Sequence, residues 1–310
     1  MLSLLFGRWT HIYSSSLLLS LIAFQRLYVS PFLDRKHRSN DLADGRYLDT
    51  LTWICWFAMS ISGIIWLLAV VASITNSGIE LATLGEVVGV TQFGHIWLFR
   101  SLLALAIAGG LLYNTLRKTF RAHSDLVWIA LAAVNLVSLT WAGHAGAATG
   151  PFAGVHLLTD LVHLLASALW PGGLLPLAVW FLVDTRGRGT EPVNYAVVYR
   201  FSAISLGAVV VLAVSGLLNS LFMIKRLSDF YATTYGQILA GKIILFLIMI
   251  GLGAQNRRLL ETQRKNQAQR IGQSNPVQLF RNIWIESALA LIVFGLAGAL
   301  GTIEPPGISN

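Results

Sequence analysis

Runs of about 20 apolar residues recur along the chain, each separated from the next by a short polar segment. A bilayer core about 30 Å thick needs about 20 residues of helix to cross it. A window of that length predicts eight spans, roughly 9–30, 48–72, 95–114, 124–142, 155–183, 195–222, 235–253 and 282–301. The pattern predicts an all-α polytopic transmembrane bundle occupying one domain over 1–310, with no internal repeat obvious by eye. The longest segment between spans, 254–281, is rich in Gln, Asn and Arg and reads as a solvated connector. The first thirty residues read as a retained helix and not a cleaved signal, because the apolar stretch is span-length and ends at Arg26 and Pro31 without a small-residue cleavage pattern.

Composition agrees with the pattern. Hydrophobic residues make up 55% of the 310 positions and charged residues 12%, with a mean hydropathy of +0.66, which excludes an ordinary soluble domain. Basic residues are unevenly placed. The first, third, fifth and seventh loops hold fifteen Lys and Arg, among them Arg35, Lys36, Arg117, Arg186 and Arg257, whereas the opposite side holds only Arg8, Lys225 and Arg226. Since basic loops stay cytoplasmic, both termini are expected on the periplasmic side of a bacterial inner membrane. The same asymmetry accounts for the net charge of +8 without a nucleic-acid partner, for which no aromatic-interleaved basic patch exists.

Ionisable groups at membrane depth are costly and mark function. His156, Asp160 and His163 fall within a wedge of roughly 60° on a helix. Along the axis, 156 and 160 are about 6 Å apart and 160 and 163 about 4.5 Å, so either neighbouring pair is close enough to share one ion. His144, across a short Gly-rich loop, is a natural additional ligand, and Asp160 either holds a cation or orients an imidazole. Imidazole with carboxylate suits copper, zinc, iron or nickel, and the Irving–Williams order favours copper. His95 and His11, near the outer ends of the third and first helices, are weaker candidates for the same site. His37 and His123 sit among basic residues and read as solvated. Arg100, Lys242 and Glu286 lie within spans, where charges pair, and a Lys242–Glu286 ion pair is expected. Cys55 is the single cysteine, which rules out an internal disulfide and a Cys-x-x-Cys metal motif.

The chain resembles the copper resistance protein D family (CopD, PcoD). The resemblance rests on Gly143-His144-Ala145, on His156, Asp160 and His163 followed by Trp170 and Gly172-Gly173, and on Thr91-Gln92-Phe93-Gly94 leading to Trp97 and Arg100. It also draws on Arg200-Phe201-Ser202 with Ser215-Gly216 and Asn219, and on Tyr235-Gly236 with Lys242 and Asn256-Arg257. It spans about residues 5 to 306. It implies eight helices and copper translocation from periplasm toward cytoplasm, often with a small periplasmic copper-binding protein of the CopC type. Pro171 and Pro176 interrupt the fifth span without removing a ligand.

The residues and the resemblance together imply a metal transporter rather than an enzyme, with copper ions as cargo bound by His144, His156, Asp160 and His163 and with the oxidation state open. Met59, Met223 and Met249 form no Met-x3-Met ladder for Cu(I), and no Gly-x4-Gly-Lys-Ser/Thr loop for ATP is present. Two other readings stay open on the residues alone: a cytochrome or reductase holding haem between two imidazoles, and a copper-binding sensor or assembly factor that moves nothing.

Overall fold

Backbone N–H and C=O groups in hydrocarbon must be satisfied within the protein, which leaves an apolar chain of this kind little choice but helix. The computed structural model describes residues 2–29, 42–75, 78–117, 125–187, 195–268 and 276–306, which are almost wholly helical, with no strand among them. The elements are α1 (Leu2–Phe24, extended by a π turn over Gln25–Val29), α2 (Leu42–Thr75), α3 (Leu81–Val90) and α4 (Gln92–Arg117). They continue with α5 (Asp125–Val137, prolonged by a 3-10 turn over Ser138–Ala142), α6 (His144–Ala147), α7 (Ala153–Leu169), α8 (Leu174–Gly187) and α9 (Tyr195–Met223). The chain then forms α10 (Asp229–Ala232), α11 (Thr234–Ala268) and α12 (Pro276–Leu300). Many of the basic loop positions, such as Arg35, Lys36 and Lys118, together with His37 and His123, lie outside the described residues.

Among the described residues, six helical stretches are long and apolar enough to cross a membrane: Tyr47–Thr75, Gln92–Tyr113, Ala153–Val183, Tyr195–Met223, Thr234–Asn266 and Val277–Leu300. The protein is an all-α polytopic membrane bundle. The first and fourth expected spans differ from these six. Leu126–Ala142 is a shorter apolar helix. Helix α1 has the length, but Arg8, Thr10, His11 and its serines dilute its apolar character. Its position explains the dilution: α1 packs against α2, α5, α7, α8 and α12, so its serines and His11 face protein instead of lipid, and Ser14, Ser15, Ser16 and Ser20 are all buried. Several of these hydroxyls donate back to carbonyls one turn earlier, as Ser15 does to His11 at 2.7 Å.

Three features refine the expected spans. The span over 155–183 stands as one candidate crossing, Ala153–Val183, and within it α7 and α8 are broken at Trp170–Gly173, beside the Pro171 interruption expected there. Pro171 has no N–H to give, so the Gly172 N–H reaches back to the Ser167 carbonyl at 2.8 Å and the Gly173 N–H to the Trp170 carbonyl at 3.1 Å. The carbonyls of Ala168 and Leu169 are thereby released, and the first span supplies their partners: Ser20 Oγ donates to Ala168 O at 2.5 Å and Tyr28 OH to Leu169 O at 3.4 Å. A side chain at Gly172 would collide with Ser20 Oγ, 2.7 Å from the Cβ position. Secondly, the 254–281 connector is helical as far as Ala268, because α11 carries its Arg- and Gln-rich end past the apolar stretch. Thirdly, the loop between the second and third spans contains α3, which folds onto α4.

A buried charge anchors the first half of the bundle. Arg100 on α4 is 5% exposed. Its Nη2 donates to His11 Nε2 at 2.8 Å and to Ser15 Oγ at 3.1 Å, and its Nη1 donates to Ser138 Oγ at 2.9 Å and to the Asn135 carbonyl. Three helices, α1, α4 and α5 with its 3-10 turn, therefore meet through one guanidinium, whose planar fork suits several acceptors at once. Replacing it by an apolar side chain strands these acceptors. Arg100→Met is predicted to cost about 3 kcal/mol, read as a lower unfolding midpoint of the detergent-solubilised protein. Gly89→Ala, whose methyl would enter open space, is predicted to leave the midpoint where it is. Equal midpoints for Arg100→Met and wild type would contradict this role.

Candidate metal centre

Helix α7 lies along α9, and their facing positions mate turn by turn. The His156 ring stacks on Phe222 at a centroid distance of 4.7 Å. Thr159 Oγ1 donates to Asn219 Oδ1 at 2.7 Å, and Asn219 Nδ2 lies 3.5 Å from Asp160 Oδ1. His163 Nδ1 is 3.0 Å from Ser215 Oγ. The sequence spacing produces this register: 215, 219 and 222 repeat on one face of α9 as 156, 160 and 163 do on α7. Gly216 lets the imidazole rest on the α9 backbone, since a Cβ there would lie 3.3 Å from His163 Cε1.

The hydrogen bonds fix the state of His163. The single proton of the Ser215 hydroxyl is given to the Val211 carbonyl at 2.6 Å. Ser215 Oγ is therefore the acceptor for His163, and Nδ1 carries the proton. The Nε2 lone pair is left for a ligand, the arrangement a metal-binding histidine needs when its other nitrogen is held by the protein. Lys242 on α11 acts electrostatically on both Asp160 and His163, and Arg8 on α1 acts on Asp160.

The outer end of this face is closed by the loop after α5. His144 Nε2 donates to the Leu300 carbonyl at 3.2 Å, and its ring stands 6.4 Å from that of Tyr235. His144 also acts electrostatically on His156. Along α7, Asp160 and His163 lie about one and two turns beyond His156, and His144 stands in the short helix α6 just before α7. Among the described residues, no three His, Cys, Asp or Glu side chains converge closely enough to hold one ion.

The remaining candidates have other duties. His11 Nε2 accepts from Arg100, so its Nδ1 must carry the proton donated to the Met59 carbonyl at 2.8 Å. Both nitrogens are committed, which leaves no lone pair for an ion. His95 is exposed and donates through Nε2 to the Gly89 carbonyl at 2.9 Å, closing the α3–α4 corner. The expected Lys242–Glu286 ion pair does not form among the described residues. Glu286 instead accepts from Asn256 Nδ2, and Asn256 Oδ1 accepts from Asn282 at 2.9 Å. Beyond Trp170, a cavity of about 180 Å³ is lined by Phe201, Ser205, Asn256 and Glu286 among others. Arg8, Thr159 and Ser215 are participants that a search for ligand types passes over. The spacing of Ser215-Gly216 and Asn219 on one helix face was the available signal.

Burial holds the half-buried His144 imidazole below its usual pKa of 6.5. The unfolded chain takes up this proton more readily than the folded one, so the associated stability is complete above about pH 6.5 and is lost as pH falls below it. Thermal unfolding between pH 8 and 5.5 is predicted to show a smaller acid-side decline in His144→Gln than in wild type; identical slopes would contradict the assignment.

Comparison with known proteins places the chain in a family. Residues 1–155 match the family described as Copper resistance protein D-like, N-terminal domain, and residues 195–300 match the one described as Copper resistance protein D. The chain is 31% identical over 215 residues to inner membrane protein YebZ of Escherichia coli (strain K12), covering 69% of this chain and 70% of that protein. It is 30% identical over 219 residues to copper resistance protein D of Pseudomonas syringae pv. tomato, covering 69% of each. It is 32% identical over 178 residues to copper transport protein CutJ of Bacillus subtilis (strain 168), covering 56% of this chain and 32% of that protein. No solved structure matches. With relatives of this identity aligned over two thirds of their length, the chain belongs to the copper resistance protein D family.

Proposed function

We propose that this protein takes copper ions from the periplasm and passes them inward across the bacterial inner membrane, using His144 and His156 as an outer station and Asp160 and His163 as a deeper one. The observation that carries the proposal is the free Nε2 lone pair of His163, one helical turn from a carboxylate and held in place by Ser215. Outside an active metal or proton pathway such a group is an expensive thing to keep at membrane depth. The names of the relatives from Pseudomonas and Bacillus support copper as the cargo.

In this reading all eight spans cross the membrane, including α1 and the α5 segment, and both termini are periplasmic as the basic loops require. His144, in the loop after α5, then faces the periplasm, where a CopC-type copper-binding protein would deliver the ion. The protein is a carrier and not an enzyme. With no ATP-binding loop in the sequence, the driving force comes from the copper gradient, a coupled ion or a partner.

The test is metal analysis and an optical spectrum of the copper-loaded, detergent-purified protein, beside the His156→Ala/His163→Ala double variant, followed by copper uptake into liposomes. Wild type is predicted to retain copper, to show no Soret band and to load liposomes, and the variant to do neither form of copper handling. Equal copper in both proteins would contradict the site, and a Soret band would contradict the cargo. Bound copper without accumulation would reduce the function to binding alone.

A further inference from the structure

The same constellation of side chains occurs twice in the bundle. In the first half, His11 on α1 sits beside Ser62-Gly63 on α2: its Nδ1 is 3.4 Å from Ser62 Oγ, Ser62 donates to the carbonyl one turn back at 2.6 Å, and a Cβ on Gly63 would lie 3.0 Å from His11 Cε1. In the second half, His163 on α7 sits beside Ser215-Gly216 on α9 with the matching three features, at 3.0, 2.6 and 3.3 Å. Three residues before each histidine, the side chain meets the residue three beyond the glycine. Arg8 lies over the Trp66 ring at 5.2 Å, and Asp160 lies 3.5 Å from Asn219.

The third crossing helix of each half repeats as well. Thr91 caps α4 by accepting the Gly94 N–H at 3.0 Å while donating to Val87 O at 2.6 Å. Thr233 does the same for α11, accepting from Gly236 at 3.0 Å and donating to Asp229 O at 2.8 Å. The next residue in each case, His95 or Gln237, reaches a carbonyl six residues earlier at 2.9 Å. Six residues past Gly94 stands Arg100, and six past Gly236 stands Lys242. Helices α3 and α10 precede the two corners alike.

We infer that the chain is a tandem duplication of a four-helix unit, in which the first copy of the histidine site is sealed by Arg100 and the second is kept open by the lysine at the matching position, Lys242. The inference rests on the copper-binding reading of His163. With all eight spans crossing, as proposed above, each unit has four crossing helices, so the two run parallel, related by an axis along the membrane normal. In the first unit the guanidinium donates to His11 Nε2 at 2.8 Å and spreads its other donors over Ser15, Ser138 and Asn135. The histidine is occupied by the protein's own cation. In the second unit Lys242 lies within electrostatic range of His163, no hydrogen bond to its Nε2 is found among the described residues, and the facing carboxylate, Asp160, replaces Arg8. An ammonium on a flexible stem is a movable point charge, whereas a guanidinium is a rigid fork that stays where it binds. Lysine at this position therefore decides that the second site admits a cation from outside.

The substitution that tests this keeps the charge and changes only the head group. In the full chain in detergent micelles, Lys242→Arg is predicted to weaken copper binding at least about tenfold, the effect of one added hydrogen bond that must be broken. Lys242→Met, which removes the competing charge, is predicted to tighten it. A merely structural role for Lys242 would make both variants worse. A second readout needs no copper: in 15N-histidine-labelled protein, the His163 Nε2 signal, assigned by its absence in His163→Gln, is predicted to move in Lys242→Arg toward that of a hydrogen-bonded acceptor nitrogen, as His11 Nε2 is in wild type. An unmoved signal with unchanged copper affinity would overturn the inference. Wild type that binds no copper would instead overturn the proposed cargo, and the nitrogen signal alone would then decide between a sealed and an open site.

Discussion

An imidazole or guanidinium placed in hydrocarbon must find its hydrogen-bond partners inside the protein, and the convergence of acceptors on Arg100 orders the bundle. Arg100 can be accommodated only where several acceptors converge, so α1, α4 and α5 are drawn together around it and His11 joins them. Because α1 brings the serines and the histidine, it takes an interior position, while α2, α4, α9 and α11 expose apolar side chains such as Phe57, Leu102, Val210 and Leu247. The same helix then mends the backbone at the α7–α8 break, where Pro171 releases two carbonyls that Ser20 and Tyr28 reach. Polarity in the first helix is thus the condition for a break in the fifth span.

That break sets the end of the candidate pathway. Helix α7 presents His156, Asp160 and His163 in order and then stops at Trp170, beyond which the cavity beside Asn256 and Glu286 opens. Each metal-ligand group on α7 is held by a side chain of α9 rather than by another ligand. Such outer-shell support fixes the tautomer and aim of an imidazole before any ion arrives.

Much of this was legible in the sequence, and the failures have physical causes. Apolar run length located the helices, and the three-four spacing placed His156, Asp160 and His163 on one face, where the structure has them. Hydropathy does not tell what lies inside: the apolar run of α1 carries no sign of its interior position, and charge alone suggests a Lys242–Glu286 pair where Asn256 takes up the carboxylate. The helical end of α11 was missed because its residues, poor in apolar side chains, are good helix formers that need no lipid contact. The duplication escaped inspection because what repeats is a handful of contacts, Ser-Gly against His and Thr-x-x-Gly at a corner, while most side chains between them have diverged. His11 and His163 are the same residue in matching positions, and only their neighbours, arginine in one case and lysine in the other, separate a locked imidazole from an available one.

In the proposed function, histidine nitrogens of this bundle hold the copper ion. X-ray absorption at the copper edge of the loaded, full-length protein measures that directly. The account predicts a first shell of nitrogen and oxygen with the outer-shell scattering of imidazole rings, diminished in His163→Gln. A shell dominated by sulfur, from Met59, Met223, Met249 or Cys55, or a spectrum indifferent to that substitution, would contradict it.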